Sequence, residues 1–150
     1  MLFEPKHKID PLFSSMKFRR SFGFFGAGFW EGKVNFAPPE KCVNVYVTAG
    51  RIGISETQRD FYRQIEQHYA DIIGRTLEIL HDTFHNYMPL YFSEYTREEI
   101  LEDCELDGIG IPDLRKKDAE WLLSFMYMPH KQTYSVYFDG WKPIYGELDD

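Results

Sequence analysis

One hundred and fifty residues, 43% of them apolar and 17% aromatic, suffice for one domain with a real core and exclude a disordered chain. A net charge of −7 disfavours nonspecific binding to nucleic acid, which needs a cationic surface. No apolar run approaches the roughly 18 residues of a membrane span, and Met1-Leu2-Phe3-Glu4-Pro5-Lys6 lacks the apolar stretch of a signal peptide.

The two cysteines, Cys42 and Cys104, read as free thiols of a cytoplasmic protein. The charge is uneven. Residues 1–53 carry eight Lys/Arg against four Asp/Glu (+4), and residues 54–150 carry nine against twenty (−11). Segments of opposite sign interleave in many compact folds, so this split does not by itself place a surface.

In chain order, residues 1–17 are polar, contain Pro5 and Pro11, and read as an irregular N-terminal arm. Phe18–Phe24 and Phe29–Phe36 are aromatic-rich, with Gly23, Gly26 and Gly28 between them, and read as a hairpin closed by Pro38-Pro39. Cys42–Thr48 alternates and is β-branched, a third strand. Ser55 stands three residues before Gln58, a capping box that opens a helix. Phe61, Ile65, Tyr69, Ile72, Thr76, Leu80 and Phe84 then recur at steps of three or four, which places them on one helical face until Pro89. A straight helix over 56–87 would be about 48 Å long, so the spacing predicts a bend or break near Gly74.

Thr96 and Glu99 form a second capping box, opening a short helix to Asp103. Asp107-Gly108 reads as a turn, 109–112 as extended, and 113–120 as a charged connection. Trp121–Met128 fits either a strand or a buried helix, and Pro129 with the hairpin beyond it favours the strand. Tyr134–Phe138 and Trp141–Tyr145 form a hairpin across Asp139-Gly140. The resulting fold class is α+β. One antiparallel sheet, built from N- and C-terminal strands, carries a long central helix on one face, all in a single domain over 1–150.

Few residues carry chemistry. His81 and His85 share a helical face at metal-ligand spacing, but Asp82 follows the first and no further ligand is evident, so they read as structural. Gly26-Ala27-Gly28 resembles a nucleotide loop, yet a strand follows where phosphate binding needs a helix N-terminus. Arg20-Ser21-Phe22-Gly23-Phe24-Phe25 matches part of an RNA-stacking signature but lacks its partner strand. No nucleophile elbow, Cys-x-x-Cys pair or Cys/His dyad is present, and no cofactor or metal is implied. The densest feature is acidic: Glu94, Glu98, Glu99, Glu102, Asp103, Glu105 and Asp107 oppose one base, Arg97, within fourteen residues. Tyr91, Phe92 and Tyr95 adjoin it. Acids speed encounter with a basic protein and aromatics anchor it, so Tyr91, Phe92, Glu94, Tyr95, Glu98, Glu99, Glu102 and Asp103 form the candidate partner-binding set.

Phe29-Trp30-Glu31-Gly32, Ile54-Ser55-Glu56-Thr57-Gln58 and Tyr134-Ser135-Val136-Tyr137-Phe138-Asp139-Gly140-Trp141 resemble, over residues 29–145, small bacterial domain-of-unknown-function proteins. These accompany polymorphic or contact-dependent toxins as immunity proteins, or antitoxins. The resemblance implies a cytoplasmic binding module rather than an enzyme. Its partner would be a cognate toxin, a basic effector domain whose active site it occludes. It transfers no site residues. The alternative is a small enzyme or ligand-binding protein with a pocket between sheet and helix.

Overall fold

The computed structural model describes residues 7–20, 28–87 and 96–149. These form strands β1 (His7–Asp10), β2 (Ser14–Arg20), β3 (Gly28–Phe36) and β4 (Lys41–Thr48), then helices α1 (Glu56–Tyr87) and α2 (Arg97–Asp103). Strands β5 (Cys104–Ile111), β6 (Trp121–Tyr127), β7 (Gln132–Asp139) and β8 (Lys142–Leu148) complete the chain. All eight strands share one sheet, and their spatial order is their order in the sequence. Neighbours are antiparallel except β4 and β5, which run parallel at the centre. The fold is α+β, as the sequence pattern predicts. A parallel pair cannot be joined by a tight turn, because the chain must return to the end it left. Helices α1 and α2 make that return.

The start of α1 is fixed by Gln58, which is 4% exposed. Its backbone N–H donates to Ser55 Oγ at 3.2 Å, and its side-chain oxygen accepts from the Ser55 N–H at 3.0 Å, which completes the capping box. Its side-chain nitrogen then donates to the carbonyls of Thr48 and Pro112, each at 2.9 Å. One amide thus ties the helix N-terminus to the ends of both parallel strands.

Along α1, Tyr62, Ile65, Ile72, Thr76, Leu80 and Phe84 are buried. The two buried threonines on this face are satisfied within the helix, Thr76 by the Ile72 carbonyl and Thr83 by the Ile79 carbonyl. Both halves of the sheet flank the helix. Tyr62 meets Phe13 and Phe36 edge-on at ring separations of 5.0 and 6.0 Å. Phe61 stacks on Trp141 at 5.3 Å and meets Trp121 edge-on at 5.6 Å, and Phe84 meets Tyr134 at 4.4 Å. Trp30, Phe36, Trp121, Tyr134 and Phe138 fill the space between the layers. On β8, a Cβ at Gly146 would lie 2.3 Å from Thr83 Oγ1, so only glycine lets this strand approach the helix so closely.

Several expectations are corrected. The segment expected to be an irregular arm carries β1 and the start of β2, with Phe13 and Met16 fully buried. Edge strands carry polar residues on their open side, which hid the strand pattern. Asp10 anchors this corner. Its carboxylate accepts from the Leu12 and Phe13 N–H groups at 2.8 and 3.0 Å and pairs with Arg59 at 2.7 Å. Burial alone would raise the Asp10 carboxyl, but these hydrogen bonds outweigh it and hold the group below its ordinary range.

Helix α1 runs unbroken through Gly74, which is exposed with open space around it and so leaves no gap in the packing. Asp107-Gly108 is no turn but the site of a register shift inside β5, where the ladder resumes at Gly108. In the last hairpin Asp139 pairs with Lys142, so the two-residue loop is Gly140-Trp141. Gly140 has φ +58° and occupies the first loop position, where a tight hairpin of this kind demands glycine. One extra residue in β8, Ile144, is taken up by a register shift between Tyr137 and Phe138. The strand expected over Phe18–Phe24 begins earlier, at Ser14, and residues 21–27 lie outside the described residues. No helix among the described residues is long and apolar enough to cross a membrane.

Two measurements check this account. Gln58→Leu removes the donor to two carbonyls and the cap acceptor, and should lower stability by about 2–4 kcal/mol in urea unfolding. Gln58→Glu keeps the cap acceptor but sets a carboxyl against two carbonyl oxygens, which raises its folded pKa above the unfolded value of about 4.3. Its penalty should be smallest below about pH 4 and grow as pH rises through the folded value. A pH-independent penalty would show that the amide does not bridge the two strands. Separately, Gly146→Ala should cost about 1–3 kcal/mol by overpacking against Thr83. Much of that loss should vanish in the Thr83→Ala background; additive effects would place the clash elsewhere.

Candidate functional site

The acidic candidates map mainly to α2. Its capping box forms as expected: Thr96 Oγ1 accepts from the Glu99 N–H at 3.2 Å, and Glu99 Oε1 accepts from the Thr96 N–H at 3.3 Å. Ile100 is buried and seats the helix on the core, while Glu98, Glu99 and Glu102 are exposed. Arg97, the one base of the stretch, is held by Glu78 of α1 at 2.8 Å. Glu99 is committed to the cap, and Glu105 on β5 pairs with Lys41 of β4. Glu98 and Glu102, one helical turn apart, have no cationic partner among the described residues. Asp103 is half-buried, and its carbonyl accepts from the Met128 N–H at 2.9 Å. Tyr91, Phe92, Glu94 and Tyr95 lie outside the described residues. Glu98, Glu99, Glu102 and Asp103 are therefore brought together on one short helix, and Glu94 and the aromatic members of the candidate set are not placed.

A second surface escaped the sequence reading. The outer face of the sheet carries one row of directly opposed residues across all eight strands. In order they are His7, Lys17, Glu31, Tyr46, Gly110, Leu122, Tyr137 and Tyr145. The row begins cationic and ends aromatic. Because strand order equals sequence order, the basic first third and the acidic remainder do not interleave across the sheet. Tyr137 and Tyr145 stack at 4.6 Å, and the Tyr145 hydroxyl donates to Glu120 at 3.1 Å. The sequence signal for this face was an aromatic at an outward position in four strands, Phe29, Tyr46, Tyr137 and Tyr145. Alternation marks such residues as outward but not as neighbours.

The described surface has several concavities. The one bounded by Phe29, Tyr46, Thr48, Pro112, Glu120 and Leu122, on the outer face, has a volume of about 300 Å³. Another of about 250 Å³ lies between α1 and the last hairpin, against His68, Asp71, Ile72, Arg75 and Trp141. A third of about 230 Å³ adjoins the first across Tyr46 and is lined by Lys17, Glu31, Lys33 and Asn44.

The other candidates are placed as follows. His85 is exposed, and His81 is part-exposed, 3.8 Å from Asp82. Among the described residues no three His, Cys, Asp or Glu side chains gather to hold a metal ion. Most of the partial RNA-stacking signature and the first two residues of Gly26-Ala27-Gly28 lie outside the described residues, and Gly28 opens a strand. Cys42 and Cys104 are unbridged and stand on different strands, Cys42 exposed on β4 and Cys104 half-buried on β5. Burial, and then the charge of Asp103, pushes the Cys104 thiol up to about 12.

Comparison with family models, with curated proteins and with solved structures returns no match for this chain.

The two thiols should differ sharply in reactivity. At pH 8 a thiol of pKa about 12 is ionised in roughly one molecule in ten thousand, and the thiolate is the nucleophile. Native protein mixed with a disulfide reagent at pH 8 should therefore release one equivalent quickly, from Cys42, and the second only on unfolding. Two fast equivalents, or a fast one that survives Cys42→Ser, would reverse the assignment.

Proposed function

We propose that this chain is a protein-binding module of the immunity type, which neutralises a toxin by laying the acidic α2 surface over a basic active site. The observation that carries the reading is Glu98 and Glu102. Both are exposed, they are spaced by one helical turn, and neither is neutralised among the described residues. Their fields add at the surface, and a substrate-like anionic surface complements the cationic clefts of nucleases and other nucleotide-directed toxins. The Arg97–Glu78 pair braces α2 on α1, so the carboxylates are presented from a helix tied to the core rather than from a free segment. A cytoplasmic location belongs to the same proposal and is consistent with two unbridged cysteines. The alternative, a ligand pocket between sheet and helix, is less well supported, because Trp30, Phe36, Trp121, Tyr134 and Phe138 fill most of that space and leave the concavity beside Trp141 at its margin.

The test begins with the product of the neighbouring reading frame. Expressed alone it should arrest growth, and coexpression of this chain should restore it. Glu98→Lys with Glu102→Lys should leave the urea midpoint nearly unchanged, since exposed charges contribute little to stability. It should slow association with the purified toxin about tenfold at low salt, and the difference should shrink near about 0.5 M salt, where screening dominates. Equal rates for wild type and variant at low salt would remove α2 from the interface and leave it a solvated helix.

A further inference from the structure

We propose that the cleft between Phe29, Tyr46 and Leu122 on the outer sheet face is a cation pocket that receives the guanidinium of an arginine on a partner protein. This inference stands apart from the α2 reading. Helix α2 leads into the Cys104 end of β5, and the cleft lies at the Ile111 end, about 23 Å away along eight strand residues.

Three observations carry it. The first is shape. Phe29 and Tyr46 lie at 6.2 Å with their planes 66° apart, so they form two walls of a box. Leu122 lies over Gly110, with its Cγ 2.8 Å from where a Cβ there would stand, and so forms the apolar floor beside them. The volume, about 300 Å³, is at the bottom of the range for small-ligand sites and suits one inserted side chain rather than a nucleotide. A cation over such ring faces is attracted by their quadrupoles.

The second observation is charge. Among the described residues Glu120 is the one charged residue in the lining. It is exposed and among them takes a single hydrogen bond, from the Tyr145 hydroxyl, which leaves carboxylate lone pairs for a forked donor. The phenol of Tyr46 is held above its ordinary range, by burial first and then by the charges of Asp107 and Glu31, so acids also surround the aromatic wall. Bases lie near but outside the lining: Arg19, opposite Phe29 in the register, is held by Glu31, and Lys17 and Lys33 line the adjoining depression rather than this one.

The third is the match of donor to site. A guanidinium is planar and weakly hydrated, stacks on a ring and presents a fork to a carboxylate, whereas an ammonium is a compact, strongly hydrated point charge. A site made of two ring faces and one carboxylate therefore selects arginine over lysine. An anion would meet Glu120, and a neutral side chain would forgo both the fork and the ring attraction.

The experiment is a titration of isotopically labelled full-length protein, followed by amide NMR, with the capped tripeptide Gly-Arg-Gly and its lysine and citrulline counterparts. Citrulline keeps the shape of arginine and removes the charge. The arginine peptide should give saturable shifts centred on Phe29, Tyr46, Gly110 and Leu122, with a millimolar dissociation constant, as expected for a single anchor. The citrulline peptide and the Glu120→Gln variant should each bind about tenfold more weakly. Tyr46→Leu, which keeps apolar bulk and removes the ring, should do the same while its urea midpoint stays near wild type. Non-saturable shifts, equal binding of citrulline, or undiminished binding by Glu120→Gln would overturn the pocket. Lysine binding as tightly as arginine would overturn the guanidinium assignment. Because the probe is a peptide, this result is independent of whether α2 docks a toxin.

Discussion

Gln58 joins three parts of the molecule through one side chain. It caps α1, and it donates to the last carbonyl of β4 and to the carbonyl just beyond β5. Those two strands form the parallel pair in the sheet, the pairing that tight turns cannot make. Two four-stranded meanders, each locally connected, meet at this seam. They become one sheet only because α1 carries the chain across and returns it in register. A buried amide with its donors and acceptor satisfied is a severe geometric requirement, since leaving any of them unpaired costs about 1–3 kcal/mol. The requirement therefore fixes where the helix begins and how it lies over the two strand ends.

From that placement the rest of the core follows. The buried stripe of α1 sits between aromatic residues of both meanders, with Phe36 on one side and Trp121 and Trp141 on the other. Gly146 then admits β8 against the helix, and Asp10 with Arg59 closes the opposite corner by fastening the first hairpin to the first turns of α1. The arrangement commits one face of the sheet entirely to the helix. The other face is left to the solvent or to partners. Sequential strand order has a further effect: the strands of the basic N-terminal third and those of the C-terminal half do not interleave in the sheet. Helix α2, braced on α1, and the aromatic row thus lie on different surfaces of the protein, with different chemistry.

The sequence by itself determined the local elements. The capping boxes at Ser55/Gln58 and Thr96/Glu99 marked both helix starts, because an N-terminus needs side-chain acceptors within three residues and no tertiary context is required to see them. Alternation gave β4 within a residue, Pro129 and the hairpin beyond it favoured a strand over a buried helix for β6, and Gly140 marked the final hairpin, though its register was one residue off. Long-range pairing decided the rest. The first strand is polar on its open side and was legible only through partners such as Trp30, over which Lys8 sits, and Arg59. The register shift at Asp107 arises from matching β5 to β6, which a turn-like dipeptide cannot announce. Of the candidate site, the carboxylates of Glu98 and Glu102 were visible as composition, while their freedom from cations depended on Arg97 finding Glu78 nineteen residues away in sequence. The outer cleft was not visible at all. Phe29, Tyr46, Leu122 and Glu120 come from separate strands and connections, and only the ladder of strand pairings, set by backbone hydrogen bonds between distant segments, brings them to one wall.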